Sequence, residues 1–131
     1  MASADVLLVE DNADTRDALR LFLELRGYAV ASAKDGAEAL ALLRDGLRPC
    51  VILLDWNMPR LDGAGFRAAQ LEMRDAATVS VAVITASALG CAEARRIGLA
   101  DCFVKPLDPE HIAHFVDEKC AARERAGNTT R

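Results

Sequence analysis

The stretch Val51-Ile52-Leu53-Leu54-Asp55-Trp56-Asn57-Met58-Pro59 decides how this chain is read. An unbroken apolar run ends on a carboxylate, and turn-forming residues follow at once. A buried strand that delivers one Asp to its C-terminal end places a reactive group where ligands bind in open α/β sheets. Three similar runs accompany it. Val6-Leu7-Leu8-Val9 leads into Glu10-Asp11, Val81-Ala82-Val83-Ile84 into Thr85, and Cys102-Phe103-Val104 into Lys105-Pro106. Carboxylates, a hydroxyl and an amine are thereby offered to one sheet edge.

Between the strands the apolar spacing turns helical. A helix is expected from about Asp14 to Arg26, capped by Asn12 or Asp14, with Ala18, Leu19, Phe22 and Leu23 inward and Gly27 as its stop. Strand 2 is expected over Tyr28 to Ala33. Asp35-Gly36 turns into a helix from Ala37 to Arg44, with Leu40 and Leu43 inward. Strand 3 is Cys50 to Leu54, and Asp62-Gly63 precedes a helix from Ala64 to Arg74. Strand 4 is Val79 to Ile84, the fourth helix Cys91 to Ile97, and strand 5 Cys102 to Val104. Asp108 caps a last helix from Pro109 to about Arg123 with Ile112, Phe115, Val116 and Cys120 inward. Glu124 to Arg131 reads as a disordered tail after a domain spanning 1–123. Strands alternating with helices, mostly as continuous apolar runs, predict a doubly wound parallel sheet covered on both faces. Right-handed crossovers then require one reversal of winding, which opens a crevice above the strand ends.

Composition narrows the class. With 131 residues the chain is long enough for one domain with an ordinary core. Its net charge of −4 and the lack of any basic block argue against nucleic-acid binding. No apolar run approaches the roughly 18 residues of a membrane span, and Met1-Ala2-Ser3-Ala4-Asp5 has no export-signal character. Cys50, Cys91, Cys102 and Cys120 form neither a CxxC pair nor a zinc spacing. They read as small, reduced, structural residues in a reducing cytoplasm.

If the first and third strands flank the crevice, Glu10, Asp11 and Asp55 converge there. Carboxylates so placed repel one another in a low dielectric and call for a cation. Hard oxygen donors suit Mg²⁺. Lys105 and Thr85 add a second charge and a hydroxyl donor, the neutralisation that phosphoryl transfer demands. Asp55 would be the nucleophile. Each residue alone has a plainer reading: Asp55 a turn former, Glu10-Asp11 favourable partners of a helix N-terminus, Lys105-Pro106 a solvated turn. The joint pattern at successive strand ends is what favours the chemistry.

Glu10-Asp11, Asp55-Trp56-Asn57-Met58-Pro59-Arg60-Leu61-Asp62-Gly63, Thr85-Ala86 and Lys105-Pro106 together resemble the receiver domains of two-component response regulators, over Val6 to about Cys120. The resemblance implies a flavodoxin-like five-stranded parallel sheet of order 2-1-3-4-5 with five helices. It implies Asp55 as phosphoacceptor, and Mg²⁺ held by Asp11, Asp55 and the backbone carbonyl of Asn57, with Glu10 supporting through water. Thr85 and Lys105 would contact the phosphoryl group, and Pro106 would follow a cis peptide bond. Thr85, Ala86, Cys102 and Pro106 would mark the switch region. The implied partners are a histidine kinase or histidine phosphotransfer protein and a downstream effector, docked on helix 4, strand 5 and helix 5. A stand-alone cytoplasmic receiver without an attached output domain is the expectation.

One position departs from the family pattern. Relatives often carry an aromatic residue three before the lysine, where this chain has Cys102. Phe103 points to the opposite face of a strand and cannot replace it without a register slip. Two rival readings are an aspartate-nucleophile phosphatase, whose second Asp is missing because Asn57 stands there, and a docking receiver that is never phosphorylated. His111 and His114 lack a third ligand for a metal pair, and Asn128-Thr129-Thr130 reads as a fortuitous glycosylation acceptor.

Overall fold

Two strands, β1 (Val6–Val9) and β3 (Val51–Asp55), are buried along their whole length and form the centre of the molecule. The computed structural model describes residues 4–58 and 61–129, with side chains of the last helix described as far as residue 124. Beside the centre lie β2 (Val30–Ala33), β4 (Ser80–Thr85) and β5 (Cys102–Val104). Every pairing is parallel, and the order is β2-β1-β3-β4-β5. The helices are α1 (Ala13–Leu25), α2 (Gly36–Arg44), α3 (Gly63–Leu71), α4 (Ala88–Arg96) and α5 (Pro109–Thr129), with a 3₁₀ turn at Ala76–Thr78 before β4. This is the flavodoxin-like, doubly wound fold that the sequence predicts.

Alternation along the strands builds two apolar layers. Leu7, Val9, Ile52, Leu54 and Val83 pack with Leu40 and Leu43 of α2, Phe66 of α3 and Ala94 of α4. Val6, Leu8, Leu53, Ala82 and Ile84 pack with Leu19 and Leu23 of α1 and Ile112 and Val116 of α5. Truncating one of these fully buried leucines to alanine removes about 2–5 kcal/mol of stability. With α1 and α5 on one face and the other helices opposite, winding reverses between β1 and β3, and the crevice opens at their C-terminal ends.

Helix starts follow side-chain caps. Asn12 accepts from the Thr15 backbone N–H, Asp35 from Glu38, Asp62 from Gly65 and Ser87 from Gly90. Gly27, Gly46 and Gly98 follow helix ends at φ of 96°, 105° and 91°, a region closed to most side chains.

Several boundaries differ from expectation. Ala18 is exposed, because the inner stripe of α1 runs through Leu19 and Leu23. The fourth helix begins at Ala88, before the expected Cys91, since Ser87 caps it and Gly90 is accommodated within the first turn. The last helix continues past Arg123 to Thr129, so most of the stretch expected to be a disordered tail is helical. Ala121, Ala122, Arg123, Glu124, Arg125 and Ala126 are good helix formers, and Gly127 comes too late to stop the helix at Arg123. Pro59, Arg60, Thr130 and Arg131 lie outside the described residues, as does part of the Asn128-Thr129-Thr130 motif.

The cysteines require the largest correction. Cys91 and Cys102 form a disulfide, with Cα atoms 5.7 Å apart, while Cys50 and Cys120 are free. Reading all four as reduced thiols fails because spacing rules detect only local pairs. Here the crossover from α4 lays a short β5 beside the first turn of that helix.

Candidate functional site

At the C-terminal end of β1 the chain leaves the sheet through Glu10 and Asp11, and β3 ends on Asp55. Glu10 and Asp55 are only 1% and 4% exposed, whereas Asp11 is exposed. One carboxylate oxygen from each lies within 4.8 Å of the others. Backbone contacts fix the acids in place. Glu10 accepts from the Asn12 N–H at 3.2 Å, and its carbonyl accepts from the Arg16 guanidinium at 2.8 Å. Asp55 accepts from the Asn57 N–H at 3.3 Å, which holds Asn57 at the same rim.

Lys105 reaches this cluster from β5. Its ammonium lies 3.0 Å from Glu10 Oε1 and 3.9 Å from Asp55 Oδ2. The Lys105 N–H donates to the Thr85 carbonyl at 2.7 Å, tying the β5 end to the β4 end, and the Lys105–Pro106 peptide is cis. Thr85 follows Ile84, which is in register with Asp55. Thr85 is fully buried, and its Oγ1 accepts from the Ser87 N–H at 3.3 Å, leaving the hydroxyl proton free to donate. Ala86 is exposed beside it.

The electrostatics show what the cluster lacks. Burial pushes the Asp55 carboxyl up to about 8, and hydrogen bonding with Glu10 and Asp11 adds to the rise, while Lys105 opposes it. Burial also acts to raise Asp11, but hydrogen bonds with Asp55 and Glu10 outweigh it and leave Asp11 below its ordinary value. Desolvation works against the Lys105 ammonium, yet Glu10, Asp55 and Asp11 together raise its pKa. One lysine therefore faces more negative charge than it can balance. An additional hard cation fits this donor set. Glu10, Asp11, Asp55 and the carbonyl of Asn57 are the groups available to hold it.

Two contacts that sequence reasoning missed join the site to α4. The Trp56 indole N–H donates to Glu93 at 3.3 Å, and the ring covers Gly63, where an added Cβ would stand 2.2 Å from it. Gly90 abuts Thr85 so closely that an added Cβ would stand 2.2 Å from Oγ1. The strand-parity expectation holds: Cys102 packs with the layer containing Val83, and Phe103 with the opposite layer, edge-on to Phe115 at 5.5 Å. His111 and His114 are exposed, with His114 3.5 Å from Glu118, and neither joins a metal-competent group among the described residues.

A sheet of this order, with acids, a hydroxyl and a lysine at its switch point, is the arrangement that the sequence resemblance implies. The family of response regulator receiver domains matches residues 6–117, and the chain belongs to it. Receiver domains of this kind serve two-component systems. The chain is 36% identical to an uncharacterized 14.6 kDa protein of Leptolyngbya boryana, covering 93% of this chain and 94% of that one. It is equally identical to the transcriptional regulatory protein PrrA of Mycobacterium tuberculosis, where the match covers 98% of this chain but only 54% of the relative. Among solved structures it resembles the chemotaxis protein CheY4 of Vibrio cholerae, with TM-score 0.76 and 30% identity over 90% of this chain and 98% of that one. It also resembles the receiver domain of the sensor histidine kinase PA1611 of Pseudomonas aeruginosa, with TM-score 0.79 and 28% identity over 89% and 97%. That structure holds a magnesium ion in its active-site cleft. Among the described residues, no helix is long and apolar enough to cross a membrane.

Proposed function

We propose that this receiver domain accepts a phosphoryl group on Asp55 from a histidine kinase or histidine phosphotransfer protein, in a Mg²⁺-dependent reaction in the cytoplasm. The observation that carries this reading is the buried Asp55 carboxylate, joined by Glu10 and Asp11 and faced by Lys105. Mg²⁺ would neutralise developing charge on the phosphoryl oxygens, and Glu10, Asp11, Asp55 and the Asn57 carbonyl would hold it. An ionised Asp55 oxygen attacks phosphorus in line with the leaving group. The bond from donor to phosphorus breaks as the acyl phosphate forms, and the donor leaves with the electron pair. Lys105 lies within reach of the incoming charge, and the Thr85 hydroxyl has a proton to offer it.

An apolar groove lined by Ala18, Leu19, Phe22, Pro106 and Leu107 opens beside Lys105, between α1 and the loop after β5. It offers the donor protein a surface next to the acceptor. On the opposite flank, Leu89 and Val104 are exposed at 68% and 45%. They suit an effector that docks on α4, β5 and α5. Phosphorylation would bias a two-state equilibrium of that face through Thr85.

Incubation with acetyl phosphate and Mg²⁺, followed by intact-mass measurement, tests the reading. The wild type should gain one labile phosphoryl group, and Asp55→Ala should gain none. Equal labelling of the variant would place the acceptor elsewhere.

A further inference from the structure

We propose that the Cys91–Cys102 pair is a reversible redox modification site whose oxidation state sets how far α4 can respond to a phosphoryl group on Asp55. The inference rests on the phosphoacceptor reading above and adds a second input to it. Cys91 lies in α4 and Cys102 opens β5, and the disulfide joins them across a sequence separation of 11. Both elements bear directly on the acceptor site. Gly90, the neighbour of Cys91, leaves no room between α4 and Thr85. Glu93, within the next turn, accepts from the Trp56 indole. Cys102 is in register with Val83, and the backbone N–H of Lys105, just beyond β5, donates to the Thr85 carbonyl. A displacement of Thr85 would relieve its close approach to Gly90, and one of Trp56 would draw on Glu93, so either would be passed to α4 and shift it relative to β5. The disulfide forbids that relative movement, and two thiols permit it.

A purely structural role explains the bond less well. Ala94 and Leu99 already anchor this segment in the core, and Cys102 packs against the same layer. The loop that the bond closes is short, and because closure entropy grows only with the logarithm of loop length, the bond constrains the unfolded chain somewhat less than a long-range bridge would. Cys91 is 7% exposed and Cys102 is half-buried, so exchange is approached from the Cys102 side. In a reducing compartment such a bond lasts only while an oxidant renews it: a small-molecule disulfide takes the two electrons and two protons of Cys91 and Cys102 by thiol–disulfide exchange and leaves as two thiols. Reduction by a dithiol reductant proceeds by thiol–disulfide exchange. One thiolate attacks Cys102 Sγ, breaking the bond to Cys91 and leaving a mixed disulfide. The second thiolate of the reductant then displaces Cys102. Two electrons and two protons pass to Cys91 and Cys102, and the reductant leaves as its own disulfide.

The experiment uses the full chain carrying Cys50→Ser and Cys120→Ser, which removes the free thiols and leaves Cys91 and Cys102. Alkylation and intact mass establish the oxidised and dithiothreitol-reduced forms. Hydrogen exchange of α4 and β5 is then read with Mg²⁺ alone and with Mg²⁺ and beryllofluoride, while fluorine NMR reports the bound fluoride. In the reduced form beryllofluoride should change α4 exchange by about fivefold or more, the lower end of ordinary allosteric coupling. In the oxidised form the change should fall below about twofold with the fluoride still bound. Adding Cys91→Ser should give the reduced behaviour in either buffer. Equal responses in both forms with bound fluoride, or thiols that stay open to alkylation after oxidation, would overturn the redox inference alone. Absence of bound fluoride in both forms would overturn the phosphoacceptor reading and this inference with it.

Discussion

At the C-terminal end of the strands, Glu10, Asp11 and Asp55 bring carboxylate oxygens within 4.8 Å of one another. At the N-terminal end, Asp5, Cys50 and Cys120 bring their ligand atoms equally close. Proximity does not distinguish the two ends, but charge and prior commitments do. Asp5 already accepts from the Ala29 N–H at 2.9 Å, and the Arg123 guanidinium lies 3.9 Å from Cys50 Sγ. Burial, and then hydrogen bonding with Cys50, push the Cys120 thiol well above its ordinary range, so it stays protonated at neutral pH. The lower end is close to charge balance and soft in its donors. The upper end holds more negative charge than Lys105 offsets, on hard oxygens. A ligand-ready geometry becomes a site for a hard cation only where the charge is unpaid.

The largest expected effect exploits that imbalance. Asp55 has a folded pKa of about 8, raised from its unfolded value, so the folded state holds the proton more tightly. The resulting stability is full below the unfolded pKa near 4 and is lost as pH rises through about 8. In EDTA, Asp55→Asn should therefore become more stable than wild type as pH rises from about 5 to about 8.5, by on the order of 3 kcal/mol. Urea denaturation measures the difference, and Mg²⁺ should shrink it. A difference that stays flat with pH would show that the upper end carries no excess charge.

Next in size is a packing change confined to the upper end. In Gly63→Ala the new Cβ would meet the Trp56 ring at 2.2 Å. Displacing that ring should cost about 1–3 kcal/mol of stability and alter Trp56 fluorescence. An unchanged emission spectrum would mean the ring does not rest on Gly63.

Smaller still is the effect of one carboxylate on cation affinity. Asp11→Ala should weaken Mg²⁺ binding by about tenfold or more, equivalent to about 1.4 kcal/mol, as read by calorimetry. An affinity matching wild type would remove Asp11 from the donor set. The smallest expected change comes from the lower end. Cys120→Ser should leave Mg²⁺ affinity within about twofold and cost about 1 kcal/mol of stability at most. A loss of Mg²⁺ binding there would erase the contrast between the ends.

Much of the upper end was legible in the sequence because strand-end chemistry is local. Val51 to Leu54 announces a buried strand, and Asp55 follows it, so topology alone carries Asp55 to the crevice with Glu10, Asp11, Thr85 and Lys105. The parity of Cys102 and Phe103 was legible for the same reason, since side-chain alternation in a strand needs no tertiary information. The disulfide was not, because Cys91 and Cys102 meet only after α4 folds back along β5. Nor were the contacts of Trp56 with Glu93 and of Thr85 with Gly90, which depend on where α4 sits on the sheet. The continuation of α5 was available in principle: Ala121 to Ala126 favour a helix, and only the position of the tail at the chain terminus suggested otherwise.

Chemical mapping of the acceptor tests the central claim most directly. After incubation with acetyl phosphate and Mg²⁺, borohydride reduction converts an aspartyl phosphate to homoserine, which peptide mass spectrometry assigns to a position. The account predicts homoserine at position 55 alone, and its loss when EDTA replaces Mg²⁺. Homoserine at another carboxylate, or equal conversion of Asp55 in EDTA, would contradict it.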